Sequence, residues 1–187
     1  MGHVGAARRT VYCAAKHAVL GFTESLRTEL LHDKSKVQIM MMELPAVNTT
    51  QFSWVKSRLP RKPQPVPPIF QPEVIADAIV YASQRPRKEY WIGFPTVKAI
   101  VAEKLASNFA DHWLAKKGYS SQQTQEPVSS DRLDNLWNPV PGDHGAHGTF
   151  DNRSRNFSLQ FWLSKNRSPL AAIALAIVVL TSYFIAK

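Results

Sequence analysis

Two short apolar runs constrain this fold more than any other feature. They are VQIMMMEL, Val37 to Leu44, and EYWIG, Glu89 to Gly93. Each follows a segment with helical periodicity. Before the first, Ala14, Ala15, Ala18, Leu20, Phe22, Leu26, Leu30 and Leu31 recur at spacings of three and four, and His32-Asp33-Lys34 ends the pattern. Before the second, Pro72 can open PEVIADAIVYASQ as its first helical residue, with Val74, Ile75, Ala78, Ile79 and Ala82 on one face. A short apolar run bounded by a helix on one side and Pro45 on the other reads as a buried strand of a parallel sheet. A further amphipathic helix follows from Thr96 to about Lys117, with Val97, Ile100, Val101, Leu105, Phe109 and Leu114 at helical spacing and Gly118 as its expected C-cap. Alternation of helix and strand defines an α/β layered fold. Two strands are too few for a sheet covered on both faces, so the chain reads as the second half of a larger unit.

Between the strands lies PRKPQPVPPIFQP, Pro60 to Pro72. Its prolines exclude regular helix and a central strand. From Tyr119 to Ser168 the composition turns to Ser, Gln, Asp, Asn and Gly, which predicts a polar tether, with Leu133, Leu136, Trp137, Phe157, Leu159, Phe161, Trp162 and Leu163 as apolar anchors. Then LAAIALAIVVLTSYFIA, Leu170 to Ala186, carries no charge. Its length is at the short limit for a bilayer-crossing helix. Pro169 can start it, and Tyr183 and Phe184 suit an interface. Arg153, Arg155, Lys165 and Arg167 precede it and Lys187 follows, which by the positive-inside rule places the main domain in the cytoplasm. A buried core helix is the competing reading. The expected organisation is a domain over 1–118, a tether over 119–168 and a membrane tail anchor over 169–187.

The chain carries 23 basic and 14 acidic residues, a formal net charge of +9. The basic residues are scattered, with no block of five or six, which argues against a nucleic-acid stripe. One cysteine, Cys13, excludes an internal disulfide. The amino end lacks the apolar stretch of a signal peptide, which argues against Sec export.

The candidate chemistry lies in VYCAAKHAVLGFTESLRTEL, Val11 to Leu30. Tyr12 and Lys16 are one helical turn apart and share a face. A phenol ionises near pH 10. An ammonium about 6 Å from a phenolic oxygen, at an effective dielectric of about 20, favours the phenolate by roughly 2–3 kcal/mol. That pairing suits general acid–base work on an alcohol or carbonyl oxygen. GDHGAHG, Gly142 to Gly148, places His144 and His147 three apart beside Asp143. A glycine-rich loop holds metal ligands poorly, and docking of the loop on the body is the alternative. His17 reads as a helix residue rather than a catalyst, and Cys13 as facing the core. PQPVPP resembles a polyproline ligand, but its place within the fold favours a substrate lid.

The stretch Val11–Leu30 resembles the active-site helix of the short-chain dehydrogenase/reductase family, through the Tyr-x-x-x-Lys pair of Tyr12 and Lys16 and through Ala14, Ala15, Ala18, Gly21, Phe22, Ser25, Leu26 and Glu29. MMMELPAVNTTQF resembles the following strand and cofactor loop, and the Pro-rich stretch falls where the family has its variable substrate loop. The resemblance runs from about Val11 to Lys117. It implies a partial Rossmann-like fold, the second half of a doubly wound parallel sheet, and NAD or NADP as cofactor. It implies Tyr12 as the proton-transferring residue and Lys16 as its partner and as a holder of the nicotinamide ribose. Pro45, Ala46 and Val47 with Thr49 or Thr50 would contact the carboxamide. The implied substrate is an alcohol or ketone, and Phe52, Trp54, Val66, Ile69 and Phe70 favour a lipophilic one. Relatives often pair through the tyrosine-bearing helix, which makes a homodimer the expectation.

Three features depart from the family pattern. There is no glycine-rich pyrophosphate turn, since the glycines are 2, 5, 21, 93, 118, 142, 145 and 148. No serine lies between Met1 and Val11, and Ala46 stands where a glycine usually follows Pro45. Half of the cofactor site is therefore missing from this sequence, and little nucleotide binding is expected of it alone. The alternative is a catalytically inactive, membrane-anchored interaction protein derived from such an enzyme.

Overall fold

The computed structural model describes residues 10–185, with side chains described as far as Ser182. The expected interfacial roles of Tyr183 and Phe184 rest on side chains outside that description, and the flanking charge of Lys187 lies outside the described residues. Helix α1 spans Thr10–His32. It is followed by strands β1 (Met41–Glu43) and β2 (Ala46–Val47), helix α2 (Gln51–Trp54), and strands β3 (Arg61–Pro63) and β4 (Ile69–Phe70). Helix α3 (Pro72–Gln84), strand β5 (Glu89–Trp91) and helix α4 (Phe94–Ser121) come next. Strand β6 (Gln123–Pro127), a 3-10 turn at Asp151–Arg153, strand β7 (Ser154–Arg155) and helices α5 (Leu159–Lys165) and α6 (Arg167–Ile185) complete the order.

The result is a mixed α/β structure with parallel sheets, consistent with a partial Rossmann-like fold. Strands β1 and β5 pair in parallel, Met41 opposite Glu89 and Glu43 opposite Trp91. Both expected strands therefore form and meet. Of Val37–Leu44, only Met41–Glu43 enters the ladder, because the partner strand is itself three residues long. A second parallel sheet has the order β2-β4-β7. Its central strand corrects an expectation, since Ile69 and Phe70 lie inside the Pro60–Pro72 stretch. The prolines flank the pair rather than enter it, so both of its residues keep their ladder groups. The third sheet is the antiparallel pair β3 and β6, with an irregular register between Arg61 and Pro63.

The core forms where α3 crosses β5. Ile75, Ala78 and Ala82 pack with Tyr90, Ile92 and Phe161, and Met40, Met42, Leu44, Val47 and Tyr81 close around them. Pro72 sits in the first turn of α3, as expected, after Gln71 as N-cap. Ile79, assigned to the buried face, is instead half-exposed. Helix α4 overruns its expected end: Gly118 lies inside the helix and is buried. A break at Ala106 (φ −150°, ψ 52°) turns the helix there, and Leu105 and Phe109 on either side are exposed. At its start Gly93 has φ 80°, a conformation that favours glycine.

Residues 119–168, expected as a tether, supply a strand to each of two sheets. They also supply Phe161 to the core, where its ring meets Tyr81 edge-on at 5.7 Å. The polar composition misleads because hydrogen bonds also anchor this stretch. Arg132 donates to the carbonyls of Phe52 and Val55, and Gln64 donates to those of Ser121 and Gln123. The single transmembrane helix expected over 169–187 is not shown. No single described helix is long and apolar enough to cross a membrane. The segments Leu159–Lys165 and Arg167–Ser182 meet that requirement only together, across a 79° bend.

Candidate active site

Tyr12 and Lys16 stand on the first turns of α1. The Lys16 ammonium lies over the Tyr12 ring, 5.4 Å from its centroid. The i and i+4 positions thus bring the two together, as their spacing predicts. Tyr12 is 44% exposed, which leaves its phenol open to a ligand. Cys13 is buried, and His17 donates from Nδ1 to the Cys13 carbonyl at 2.8 Å, both in keeping with structural roles. Helix α1 packs extensively against no other described element. Its connection to the sheet runs through Arg27, whose guanidinium donates to the carbonyls of Ile39 (3.5 Å) and Lys88 (3.3 Å). Val11, Val19, Phe22 and Leu31 are exposed along it.

The loop Pro45–Thr50 begins at buried Pro45, passes through β2 and enters α2. The Thr49 amide donates to the Val47 carbonyl at 3.0 Å, and Thr50 precedes α2 with its hydroxyl making no capping bond. Between Val47 and Thr49 sits Asn48, fully buried, a residue that sequence reasoning passed over. Its amide donates to the Phe70 carbonyl at 2.8 Å, and its side chain donates to Gln71 Oε1 (3.0 Å) and Asp151 Oδ1 (2.8 Å). Its Oδ1 accepts from the Phe150 amide at 3.1 Å. One buried side chain therefore joins the loop to α3 and to the segment around Asp151. No local pattern signals this, because its partners are distant in the chain.

The glycine-rich loop docks on the body rather than standing free. The Gly148 amide donates to the Asn48 carbonyl at 3.2 Å. A Cβ on Gly148 would lie 2.6 Å from both Asn48 Oδ1 and the Thr49 carbonyl oxygen, so this approach needs glycine. The His144 ring lies against Trp54 at a tilt of 57°, with centroids 4.1 Å apart. His147 sits between two carboxylates, with Nδ1 2.9 Å from Asp151 and Nε2 2.6 Å from Glu73. Hydrogen bonds to Asp151 and then Glu73 raise the His147 pKa above its ordinary value. The reciprocal bonds lower the pKa of Asp151 and of Glu73. The charged imidazolium, with two N–H donors, is the form that this geometry favours.

Tyr12 and Lys16 form one group, and Pro45–Thr50 with Gly148–Asp151 a second. Among the described residues no hydrogen bond or ring contact joins the two. The fold and the helix pair define a class: an α/β protein with a Tyr-x-x-x-Lys helix leading into a parallel strand and a buried turn. Comparison with known proteins finds two likenesses. Residues 1–58, which contain both groups of candidate residues up to Thr50, match the short chain dehydrogenase family. An uncharacterized oxidoreductase, YxnA of Bacillus subtilis (strain 168), is 25% identical over 174 residues, 92% of this chain and 48% of the relative. The chain thus spans about half the length of the curated relative it matches. No solved structure matches it.

Proposed function

We propose that the chain serves a nicotinamide-dependent oxidoreduction of an alcohol or ketone. Tyr12 would exchange the proton at the substrate oxygen, and Lys16 would hold it in place electrostatically. The observation that carries this reading is the Lys16 ammonium over the Tyr12 ring, 5.4 Å from its centroid, on a helix within the matched residues.

The chemistry of the residues present suits the nicotinamide end of an NAD or NADP molecule. Tyr12 and Lys16 are exposed, and Thr49 and Thr50 are partly exposed at the end of a loop fixed from behind by Asn48. When bound, the cofactor supplies the hydride. Lys16 can donate to ribose hydroxyls and favour negative charge on the neighbouring phenol oxygen. Thr49 or Thr50 can donate to the carboxamide. Pro45, Ala46 and Val47 set the path of the loop, which β4 holds through Ala46 opposite Ile69 and Val47 opposite Phe70. Trp54 follows on α2, and its apolar surface supports a lipophilic substrate.

The test is NADH and NADPH oxidation by the full chain with a panel of ketones, beside fluorescence titration of each cofactor. Tyr12→Phe is expected to abolish turnover while cofactor affinity stays within about threefold. Turnover unchanged in Tyr12→Phe sinks the assignment. The second reading, an inactive interaction protein descended from such an enzyme, draws support from the loosely packed α1. No turnover and no cofactor binding would favour it. Membrane attachment through α5 and α6 is part of the proposal, supported by exposed Ile173, Leu175, Ile177, Val178, Val179 and Leu180. Cosedimentation with neutral lipid vesicles tests it, and a chain that stays in the supernatant removes that part. Pairing of two copies through α1 is proposed from the same likeness and is read by analytical ultracentrifugation.

A further inference from the structure

A cleft of about 810 Å3 opens between the β3–β6 pair and the residues that follow it. Neither Tyr12, Lys16 nor Pro45–Thr50 lines it. Its apolar part is the edge-to-face pair Phe52 and Phe150, with centroids 6.2 Å apart. Its charged part is Lys62, Arg132 and Arg153 against one carboxylate, Glu126. Lys62 and Glu126 bond each other at 2.7 Å.

The two arginines are held differently. Arg132 donates to the carbonyls of Val55 (2.7 Å) and Phe52 (2.9 Å), and Arg153 donates to Gln64 Oε1 (3.0 Å). These acceptors are neutral, so the bonds orient both guanidinium groups without cancelling their charge. Asp134 is near enough to Arg132 to be influenced by it, but its carboxylate is bound to Lys56 at 2.7 Å. Asp151, two residues before Arg153, accepts from His147, Gln71 and Asn48. The Arg153 guanidinium lies 5.7 Å from the Phe150 ring centroid, which places positive charge directly beside the apolar floor.

We propose that this cleft binds an amphipathic oxyanion, a carboxylate or phosphate monoester carried on an aromatic or other apolar group. Its size is in the range of small-molecule sites. A guanidinium fork matches such oxyanions in two parallel hydrogen bonds. The site is separate from the Tyr12 group, so this proposal stands or falls independently of the oxidoreductase reading.

The experiment is calorimetric titration of the full chain with 4-phenylbutyrate, 4-phenylbutyl phosphate and 4-phenylbutanol. At least one anion is expected to bind ten times or more tighter than the alcohol, and which anion is tighter identifies the oxyanion. Arg153→Met, checked for folding by circular dichroism, is expected to weaken the preferred anion at least tenfold, and Lys98→Met, near the start of α4 and outside the cleft lining, to leave it unchanged. If Arg153→Met does not fold, the anion-to-alcohol ratio of the wild-type chain decides alone. A ratio below ten, no binding of any of the three at millimolar concentration, or a folded Arg153→Met with undiminished affinity overturns the proposal.

Discussion

Phe161→Ala tests whether residues 119–168 belong to the folded body. Phe161 is 3% exposed and sits in the cluster of Ile75, Ala78, Ala82, Tyr90 and Ile92. Truncation of a buried phenylalanine removes its transfer free energy and leaves a cavity, together about 3–5 kcal/mol. Loss of the edge-on contact with Tyr81 is part of that figure, at about 0.5–1.5 kcal/mol. With a urea slope of about 2 kcal/mol per molar, a loss of about 4 kcal/mol moves the unfolding midpoint down by about 2 M. Such a loss is a large share of the about 5–15 kcal/mol available to an ordinary domain. Tryptophan fluorescence follows the transition. Phe157→Ala is the control, because Phe157 is 58% exposed and its loss is expected to cost under about 0.5 kcal/mol. Equal midpoints for Phe161→Ala and the control would refute the packing argument. If Phe161→Ala is too unstable to purify, Phe161→Leu retains part of the volume and should still fall about 1–2 kcal/mol below the wild type.

Gly148→Ala places a methyl 2.6 Å from a backbone oxygen of Thr49, and overpacking of this kind costs about 1–3 kcal/mol; an unchanged urea midpoint contradicts it. The Glu73–His147–Asp151 contact has a defined pH sense. His147 has a raised pKa, so its contribution is complete below its ordinary value of 6.5 and fades as pH rises through the folded value. The carboxylates are depressed from 4.5 and 3.8, so theirs is complete above those values and fades as pH falls through the folded ones. Protection of the Gly148 amide against hydrogen exchange should therefore be greater at pH 5.5 than at pH 8.5, and equal protection factors would remove the latch. Arg27→Met should free α1 locally: amide exchange is expected to speed up in α1 while Tyr90 and Ile92 keep their protection, and parallel loss at both places contradicts a separately held helix.

Helix α3 was legible because each local signal agrees: Pro72 opens it, the apolar spacing runs through Val74, Ile75, Ala78 and Ala82, and the chain turns at Arg85. The Tyr12–Lys16 pair was legible because helical geometry alone makes i and i+4 neighbours. Strands β4 and β7 were not. Two residues carry no periodicity, and Ser154–Arg155 is polar throughout, so only a partner distant in the chain makes it a strand. His147 was visible as a motif but not as a bridge, because Glu73 lies 74 positions away.

Asn48 shows what the distant contacts accomplish. A buried amide side chain with an unmade hydrogen bond costs about 1–3 kcal/mol, so such a residue persists where its partners are fixed. Here they come from three places: Phe70 and Gln71 before α3, Phe150 after the glycine loop, and Asp151, which His147 holds in turn. The loop that the family likeness assigns to nicotinamide is thus held both by nearby Phe70 and Gln71 and by Phe150 and Asp151, over a hundred positions downstream. The segment after α4 therefore contributes to holding the candidate site, although none of its residues is assigned to the chemistry. Removal of 142–151 should disorder Asn48–Thr50 while leaving Tyr12 and Lys16 paired, because the helix needs only its own geometry.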